Sequence, residues 1–302
     1  MKENNDISIA VATYNGSKFL YEQLLSIINQ TFVPKEIIIV DDCSKDNTVQ
    51  IIENIKKDYP FIKLFTNEIN KGPVATFEIA ISKCSGNYIA LCDQDDIWEL
   101  NKLELSVAEL KKIEEENVPS VVFTDLQLID EKGNIIGETF WESQKLNPVK
   151  MDFYKTLFLN SLTGCTVVFN KSMKDELVNI PKEVEMHDYW IALIALGLGR
   201  SKPLSFSTVK YRSHENSVTV KDSISNIKRI KKFISILFSS DRNYMQSNFK
   251  QADLFLDIYG DKLNKEKRKQ LVNFIKLGNK NSIFRNIYIG CFKYLYIYIH
   301  SL

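Results

Sequence analysis

Short apolar runs, each followed by a helical pattern, fill the N-terminal third of the chain and leave little choice of fold. Ile7-Ser8-Ile9-Ala10-Val11-Ala12, Glu36-Ile37-Ile38-Ile39-Val40, Ile62-Lys63-Leu64-Phe65 and Ile89-Ala90-Leu91 read as buried strands. Between them Leu20, Leu24, Ile27 and Ile28 share one helical face, and Val49, Ile52 and Ile55 share another, with Ser44 as N-cap. A third helix opens after Asn70-Lys71-Gly72 and runs through Ile81. Strands alternating with helices mean βαβ units, hence an α/β fold with a mainly parallel sheet and helices on both faces. Ligands of such sheets sit beyond the carboxyl ends of the strands, where strand order reverses.

Three polar stations fall at those ends: Thr13-Tyr14-Asn15, Asp41-Asp42 and Asp93-Gln94-Asp95. In an extended chain residues two apart point the same way, so Asp93 and Asp95 are expected to present their carboxylates to one side. Two carboxylates there make a hard, oxygen-only site for a divalent cation that itself holds phosphates. Asp also serves at loop starts as a plain turn or capping residue; the convergence of three stations on one edge argues for a site.

Beyond a long helix from Leu100 towards Glu116, Ser120–Thr124 and Cys165–Phe169 read as strands, and Asp130–Asn134 as a hairpin turn. His187-Asp188-Tyr189-Trp190 opens an apolar helix, and Ser207–Arg212 is a late strand left through Ser213-His214-Glu215-Asn216. The five cysteines are scattered, with no C-x-x-C pair and no secretory leader, which favours a reducing, cytoplasmic setting over a zinc or disulfide scaffold.

The net charge of +1 hides an asymmetry: residues 224–302 carry +10 and the rest −9. We divide the chain accordingly into a domain at 1–223 and a basic helical region at 224–302. There Ile227, Ile230, Phe233, Ile234 and Leu237 form an apolar stripe beside Lys228, Arg229, Lys231 and Lys232. Ile283 to Ile299 is interrupted by Arg285 and Lys293, too broken for a span of ~20 apolar residues. It reads either as an interfacial helix or as one packed on the domain. No G-x-G-x-x-G follows the first strand, which excludes dinucleotide binding, and basic residues alternating with Ile and Leu argue against nucleic acid.

Taken in order, Ala12-Thr13-Tyr14-Asn15, Val40-Asp41-Asp42-Cys43-Ser44, Asn70-Lys71-Gly72 and Cys92-Asp93-Gln94-Asp95-Asp96-Ile97-Trp98 form a recognisable set. With His187-Asp188-Tyr189-Trp190 and Tyr211-Arg212-Ser213-His214-Glu215-Asn216, the sequence resembles the inverting glycosyltransferase family 2, of GT-A (Rossmann-like) fold. The D-Q-D-D-x-W, H-D-x-W and Y-R-x-H sets look most like its bacterial cell-surface rhamnosyltransferase branch. Cys43 stands where the usual motif has Gly.

The resemblance implies a nucleotide-diphosphate sugar, dTDP- or UDP-linked, as donor, and a lipid-linked or growing glycan as acceptor. Ala12, Thr13, Tyr14 and Asn15 would line the base, and Asp41 or Asp42 would accept the pyrimidine imide N–H. Lys71, Asp93, Gln94 and Arg212 would face the nucleotide sugar. Asp95, with Asp93 and His214, would ligate Mg²⁺ or Mn²⁺. Asp188 would be the general base, with His187 and Trp190 orienting the base or the acceptor; Asp96 would be a supporting residue or cap, and Trp98 a packing residue. The basic region would hold the enzyme peripherally on the inner face of the cell membrane. Competing readings are a haloacid-dehalogenase-type phosphatase, which places its D-x-D after the first strand rather than the fourth, and a catalytically silent membrane-docking domain.

Overall fold

The computed structural model describes residues 6–214, 245–280 and 282–294. Three βα pairs come first: β1 (Ile7–Thr13) and α1 (Leu20–Ile28), β2 (Glu36–Asp41) and α2 (Thr48–Lys56), β3 (Ile62–Thr66) and α3 (Pro73–Lys83). Then follow β4 (Tyr88–Cys92), β5 (Ile97–Trp98), α4 (Lys102–Leu110), β6 (Ser120–Ile129) and β7 (Ile135–Thr139). Short helices α5 (Phe140–Gln144) and α6 (Phe153–Thr156) and a 3-10 turn at Gly164–Thr166 lead to β8 (Val168–Asn170) and α7 (Lys171–Leu177). The chain continues through α8 (His187–Leu198) and β9 (Arg200–Arg212) to α9 (Gln246–Tyr259), α10 (Lys265–Gly278) and α11 (Ser282–Tyr294).

The sheet order is β3-β2-β1-β4-β8-β6-β9-β5, with β7 beside β6. β1 lies between parallel partners β2 and β4, so strand order reverses at β1. β8 runs antiparallel to both β4 and β6. Strand alternation divides the core in two: Ile7, Ile9, Val11, Ile37 and Ile39 point to the face covered by α1, α2 and α4, while Ala10, Ile38 and Val40 point to the other. α8 follows from a nearly continuous apolar sequence, and Trp190, Ile191, Leu193 and Ile194 are all buried. Gly199 ends it because a Cβ there would come within 1.8 Å of the Pro119 carbonyl oxygen.

Three local expectations change. α4 stops at Leu110, short of Glu116. Ser44 does not cap α2, which starts at Thr48; its hydroxyl instead donates to Asp41 at 2.5 Å. Cys165 lies in the 3-10 turn, and the strand following it is only Val168–Asn170. In the C-terminal helices, Phe249, Phe255, Phe274 and Ile289 join the same apolar core as Phe158 and Trp190. That selects packing on the domain for the described part of 224–302. The stripe from Ile227 to Leu237 lies outside the described residues, as do Glu215 and Asn216. Among the described residues no helix is long and apolar enough to cross a membrane.

Candidate active site

The reversal point is laced together by side chains. Gln94, just past β4, accepts from the Tyr14 N–H at 2.8 Å and donates to the Tyr14 carbonyl at 3.1 Å. Gly16 leaves room for this strap, since a Cβ there would sit 2.2 Å from the Gln94 Oε1 and displace it. Thr13 donates to Asp41 at 2.9 Å, and Asn15, at φ 49°, accepts from the Lys45 N–H at 2.8 Å. Asp42 accepts from Asn67 and from the Lys71 and Gly72 N–H groups, each at 2.8 Å, which fixes the entry to α3. Both aspartates are buried and each takes three protein hydrogen bonds. Four-lone-pair carboxylates retain room for one more donor. The Tyr14 ring stands exposed and Ala12 is half-buried beside it, while the Lys71 side chain points to solvent.

The acidic stretch departs from its expected geometry. β4 ends at Cys92 and residues 93–96 form a bend, so the strand alternation that would align Asp93 with Asp95 does not operate. Among the described residues, Asp93, Asp96 and the Cys165 thiol bring their donor atoms within 4.8 Å of one another. Asp95 pairs instead with His214, Nε2 to Oδ2 at 2.9 Å. The two sets remain neighbours: burial, then the Asp95 and Asp188 charges, push Asp93 up to about 7. Gly164, where an added Cβ would lie 3.6 Å from the Asp188 Cβ, adjoins Cys165, whose thiol meets Asp93 and Asp96, so Asp188 and the acidic bend lie on either side of one turn.

Asp188 sits in the first turn of α8, where the helix N-terminus favours its anion. Burial pushes it up to about 6 against the N–H groups of Tyr189 and Gly164, the former at 2.6 Å. A carboxylate so placed is ionised at neutral pH and basic enough to take a hydroxyl proton. His187 is buried under the Phe77 ring at 4.3 Å, and burial pulls it down to about 4, so it is neutral. Neither of its ring nitrogens has a partner among the described residues.

Two residues fall elsewhere than expected. Trp190 is fully buried against Phe255 and Tyr259 beneath α9, away from the edge, because α8 turns that face into the core. Arg212 is 2% exposed, with its guanidinium on the Asp95 carbonyl (2.9 Å), the Glu131 carbonyl (2.9 Å) and Glu22 (2.6 Å). It braces the acidic bend from behind. Trp98 packs as anticipated, 2% exposed under the loop. Sequence reasoning missed the Gly164 N–H on Asp188, Glu22, and Lys102, a buried lysine on the inward face of α4. The last was detectable, since Lys102 falls in register with Leu103, Ser106, Val107 and Leu110.

The donor set suits a hard cation. Asp95 is paired with His214, Asp93 lies in the neighbouring group with Asp96 and Cys165, and neither Asp93 nor Asp188 makes an ion pair among the described residues. Asp93, pushed up by burial and then by the Asp95 and Asp188 charges, is short of positive charge, which a divalent ion would supply.

The family model for glycosyl transferase family 2 matches residues 8–177. The Escherichia coli UDP-Glc:alpha-D-GlcNAc-diphosphoundecaprenol beta-1,3-glucosyltransferase WfgD is 30% identical over 217 residues, 70% of this chain and 79% of that protein. The putative teichuronic acid biosynthesis glycosyltransferase TuaG of Bacillus subtilis is 25% identical over 215 residues, 70% of this chain and 81% of its own. Among solved structures, S. aureus TarS 1–349 in complex with UDP-GlcNAc superposes with a TM-score of 0.58 at 18% identity, covering 94% of this chain and 90% of that one. That likeness shows the fold, of GT-A type. With more than half its length matched by the family model, the chain belongs to glycosyl transferase family 2.

Proposed function

We propose that this protein is a metal-dependent, inverting glycosyltransferase that moves a hexose from a UDP-linked donor to a hydroxyl of a lipid-linked or growing cell-surface glycan. What supports it is the nearness of Asp188 to the acidic bend through the Gly164–Thr166 turn, whose Gly164 abuts Asp188 and whose Cys165 meets Asp93 and Asp96, with Asp95 and His214 paired beside them. Tyr14 and Ala12 receive the base, and Asp41 or Asp42 accepts its imide N–H. Asp93, Asp95 and His214 would hold Mg²⁺ or Mn²⁺, and such an ion would supply positive charge to a diphosphate leaving group. Asp188 takes the proton of the acceptor hydroxyl as it attacks opposite the diphosphate, so configuration at the anomeric carbon inverts. His187, neutral and without a ring hydrogen-bond partner among the described residues, orients the acceptor side.

UDP is favoured because WfgD is named for UDP-Glc and TarS was solved with UDP-GlcNAc. The diphosphoundecaprenol in the former's name supports a lipid-linked acceptor. The rhamnosyltransferase-like motifs keep dTDP-rhamnose as the second arm of the test. Melting-temperature shifts with UDP, dTDP or GDP, each with Mn²⁺ or Mg²⁺, should be largest for UDP plus metal. Asp95→Ala should abolish the metal-dependent part. A shift by UDP that is equal with and without metal in both proteins would refute metal dependence, and a larger shift by dTDP would move the donor to rhamnose.

The basic region places the enzyme on the cytoplasmic face of the membrane, each well-placed Lys or Arg adding roughly 1 kcal/mol near an anionic leaflet. Full-length protein should float with anionic vesicles, and neutralising Lys228, Arg229, Lys231 and Lys232 should release it. Equal flotation of both proteins would remove that role.

A further inference from the structure

The helix that carries Asp188 is gripped at both ends by helices that follow it in the chain. Tyr189, the next residue, donates its N–H to the Asp188 carboxylate at 2.6 Å. At its other end the Tyr189 hydroxyl lies 2.7 Å from the Thr156 carbonyl and 2.9 Å from the Leu157 carbonyl, with one hydrogen to share between them. Its oxygen accepts from the side-chain amide of Asn248, the third residue of α9, at 2.7 Å, and the same amide donates to the Leu157 carbonyl at 3.3 Å. Both neighbours need a donor there, and an amide nitrogen has two hydrogens to give.

The last turn of α8 is held in a similar way. Carbonyls at a helix C-terminus lack intrahelical partners. The Gly197 carbonyl takes the Lys267 ammonium of α10 at 2.9 Å, and a cation suits the negative end of the helix. Gly197 also lets two rings approach, since a Cβ there would lie 3.1 Å from both Phe153 and Phe255. Between the two ends Trp190 packs on Phe255 and Tyr259 of α9.

We propose that Asn248 is a positioning residue for the transfer reaction: through the Tyr189 hydroxyl it fixes the first turn of α8, and with it the aim of the Asp188 carboxylate. This rests on the reading of Asp188 as general base. Tyr189 is tied at its N–H and at its hydroxyl, so α8 cannot turn about its axis without breaking the bonds to Thr156, Leu157 or Asn248. Apolar packing against Phe255 and Tyr259 holds α8 down but is non-directional, whereas hydrogen bonds weaken steeply when bent. A base has to meet its proton within a narrow geometry, and a misplacement of about 1 Å can cost about a hundredfold in rate. Asn248 supplies that precision from α9 without itself bonding Asp188, which makes the helices beyond the sheet part of the catalytic apparatus.

The test compares Asn248→Leu, Tyr189→Phe and the double variant with wild type in the full chain, and repeats Asn248→Leu in Asp188→Asn. Leu keeps the bulk of Asn without its donors, and Phe keeps the ring without its hydroxyl. Turnover is read well below the melting temperature as nucleotide released from UDP-Glc or dTDP-rhamnose with water as acceptor, and backbone hydrogen exchange is followed along α8. Each single variant should lower kcat about ten- to a hundredfold with the donor KM within about twofold of wild type. The double variant should lose no more than the larger single loss, since the two act through one bond, and in Asp188→Asn the Asn248 change should cost less than about twofold. Exchange at 187–190 should quicken about tenfold in Asn248→Leu while 192–197 stays within about twofold. A contact that only stabilised the fold would lower the melting temperature and leave kcat and the exchange of that turn alone.

A kcat for Asn248→Leu within about twofold of wild type, or single losses that multiply in the double variant, overturns the proposal. Should Asn248→Leu not fold, Asn248→Ala carries the same expectations. An Asp188→Asn protein that turns over at the wild-type rate sinks the base reading, and the exchange measurement still decides whether Asn248 fixes the turn. It decides alone if wild type releases nucleotide from neither donor: a turn whose exchange Asn248→Leu leaves unchanged overturns the proposal.

Discussion

Replacing Asp188 by Asn removes one negative charge and keeps the shape, so it separates the cost of that charge from its use. Burial holds the Asp188 proton up to about 6, against an ordinary 3.8. A carboxylate whose pKa is raised by folding binds its proton more tightly when folded, so it destabilises the fold as it ionises. The penalty is absent below the unfolded value, grows as pH rises between the two, and is complete above about 6. Two units at about 1.4 kcal/mol each amount to about 3 kcal/mol at pH 8. Asn retains the acceptor for the Tyr189 N–H. Asp188→Asn should therefore be more stable than wild type at pH 8 by about 2–3 kcal/mol, a rise of about 3–5 °C in melting temperature for a chain of 302 residues. Near pH 4 the two should melt together. Transfer should meanwhile fall by about 10²–10⁴-fold with UDP binding intact. The assay pairs melting curves in chelator at both pH values with release of UDP in the presence of acceptor. Equal or lower stability at pH 8 would refute the idea of an uncompensated buried carboxylate, and transfer within about tenfold of wild type would place the base elsewhere.

Two further substitutions probe the frame around the edge. Arg212→Met keeps bulk but leaves the Asp95 and Glu131 carbonyls without their donor and Glu22 without its partner. Urea unfolding should show a loss of about 3–5 kcal/mol, and less than 1 would mean the bend holds itself. Cys43 sits at φ 66°, a left-handed conformation that costs a side-chain-bearing residue about 1–2 kcal/mol. Glycine avoids that but loses more chain entropy, about 0.5–1 kcal/mol, so Cys43→Gly should stabilise by about 0.5–1 kcal/mol in the same assay.

The parallel core was legible because each buried strand is a continuous apolar run and each helix repeats its apolar residues on one side. Ile37–Val40 has to be covered on both faces, and only crossover helices do that. The carboxyl-end stations were legible for the same reason: Thr13, Asp41 and Asp93 are the first polar residues after their runs. Individual side-chain aims were not. Whether Asp93 and Asp95 align depends on whether the backbone stays extended for two residues past Cys92, and nothing local decides that; the Gln94–Tyr14 strap does, across 80 residues of sequence. Trp190 escaped for a related reason. In a helix apolar on nearly every side, periodicity cannot say which face meets the site and which meets α9.

The Y-R-x-H spacing shows how a motif can be read correctly and its parts misassigned. Two residues apart at the end of β9, Arg212 and His214 both reach Phe19, the former 4.6 Å from its ring and the latter 5.3 Å. They then take opposite ends of one residue: Arg212 holds the Asp95 carbonyl, and His214 meets its carboxylate. A guanidinium on a backbone carbonyl fixes where Asp95 stands, and an imidazole at the carboxylate fixes where it points. Only the second can be shared with a cation. The arginine therefore acts on the site by immobilising Asp95, and a strand that delivers both residues makes the bend and its ligand geometry one mechanical unit. Loss of Arg212 should on this account weaken metal-dependent UDP binding as well as stability, whereas loss of His214 should weaken the binding alone.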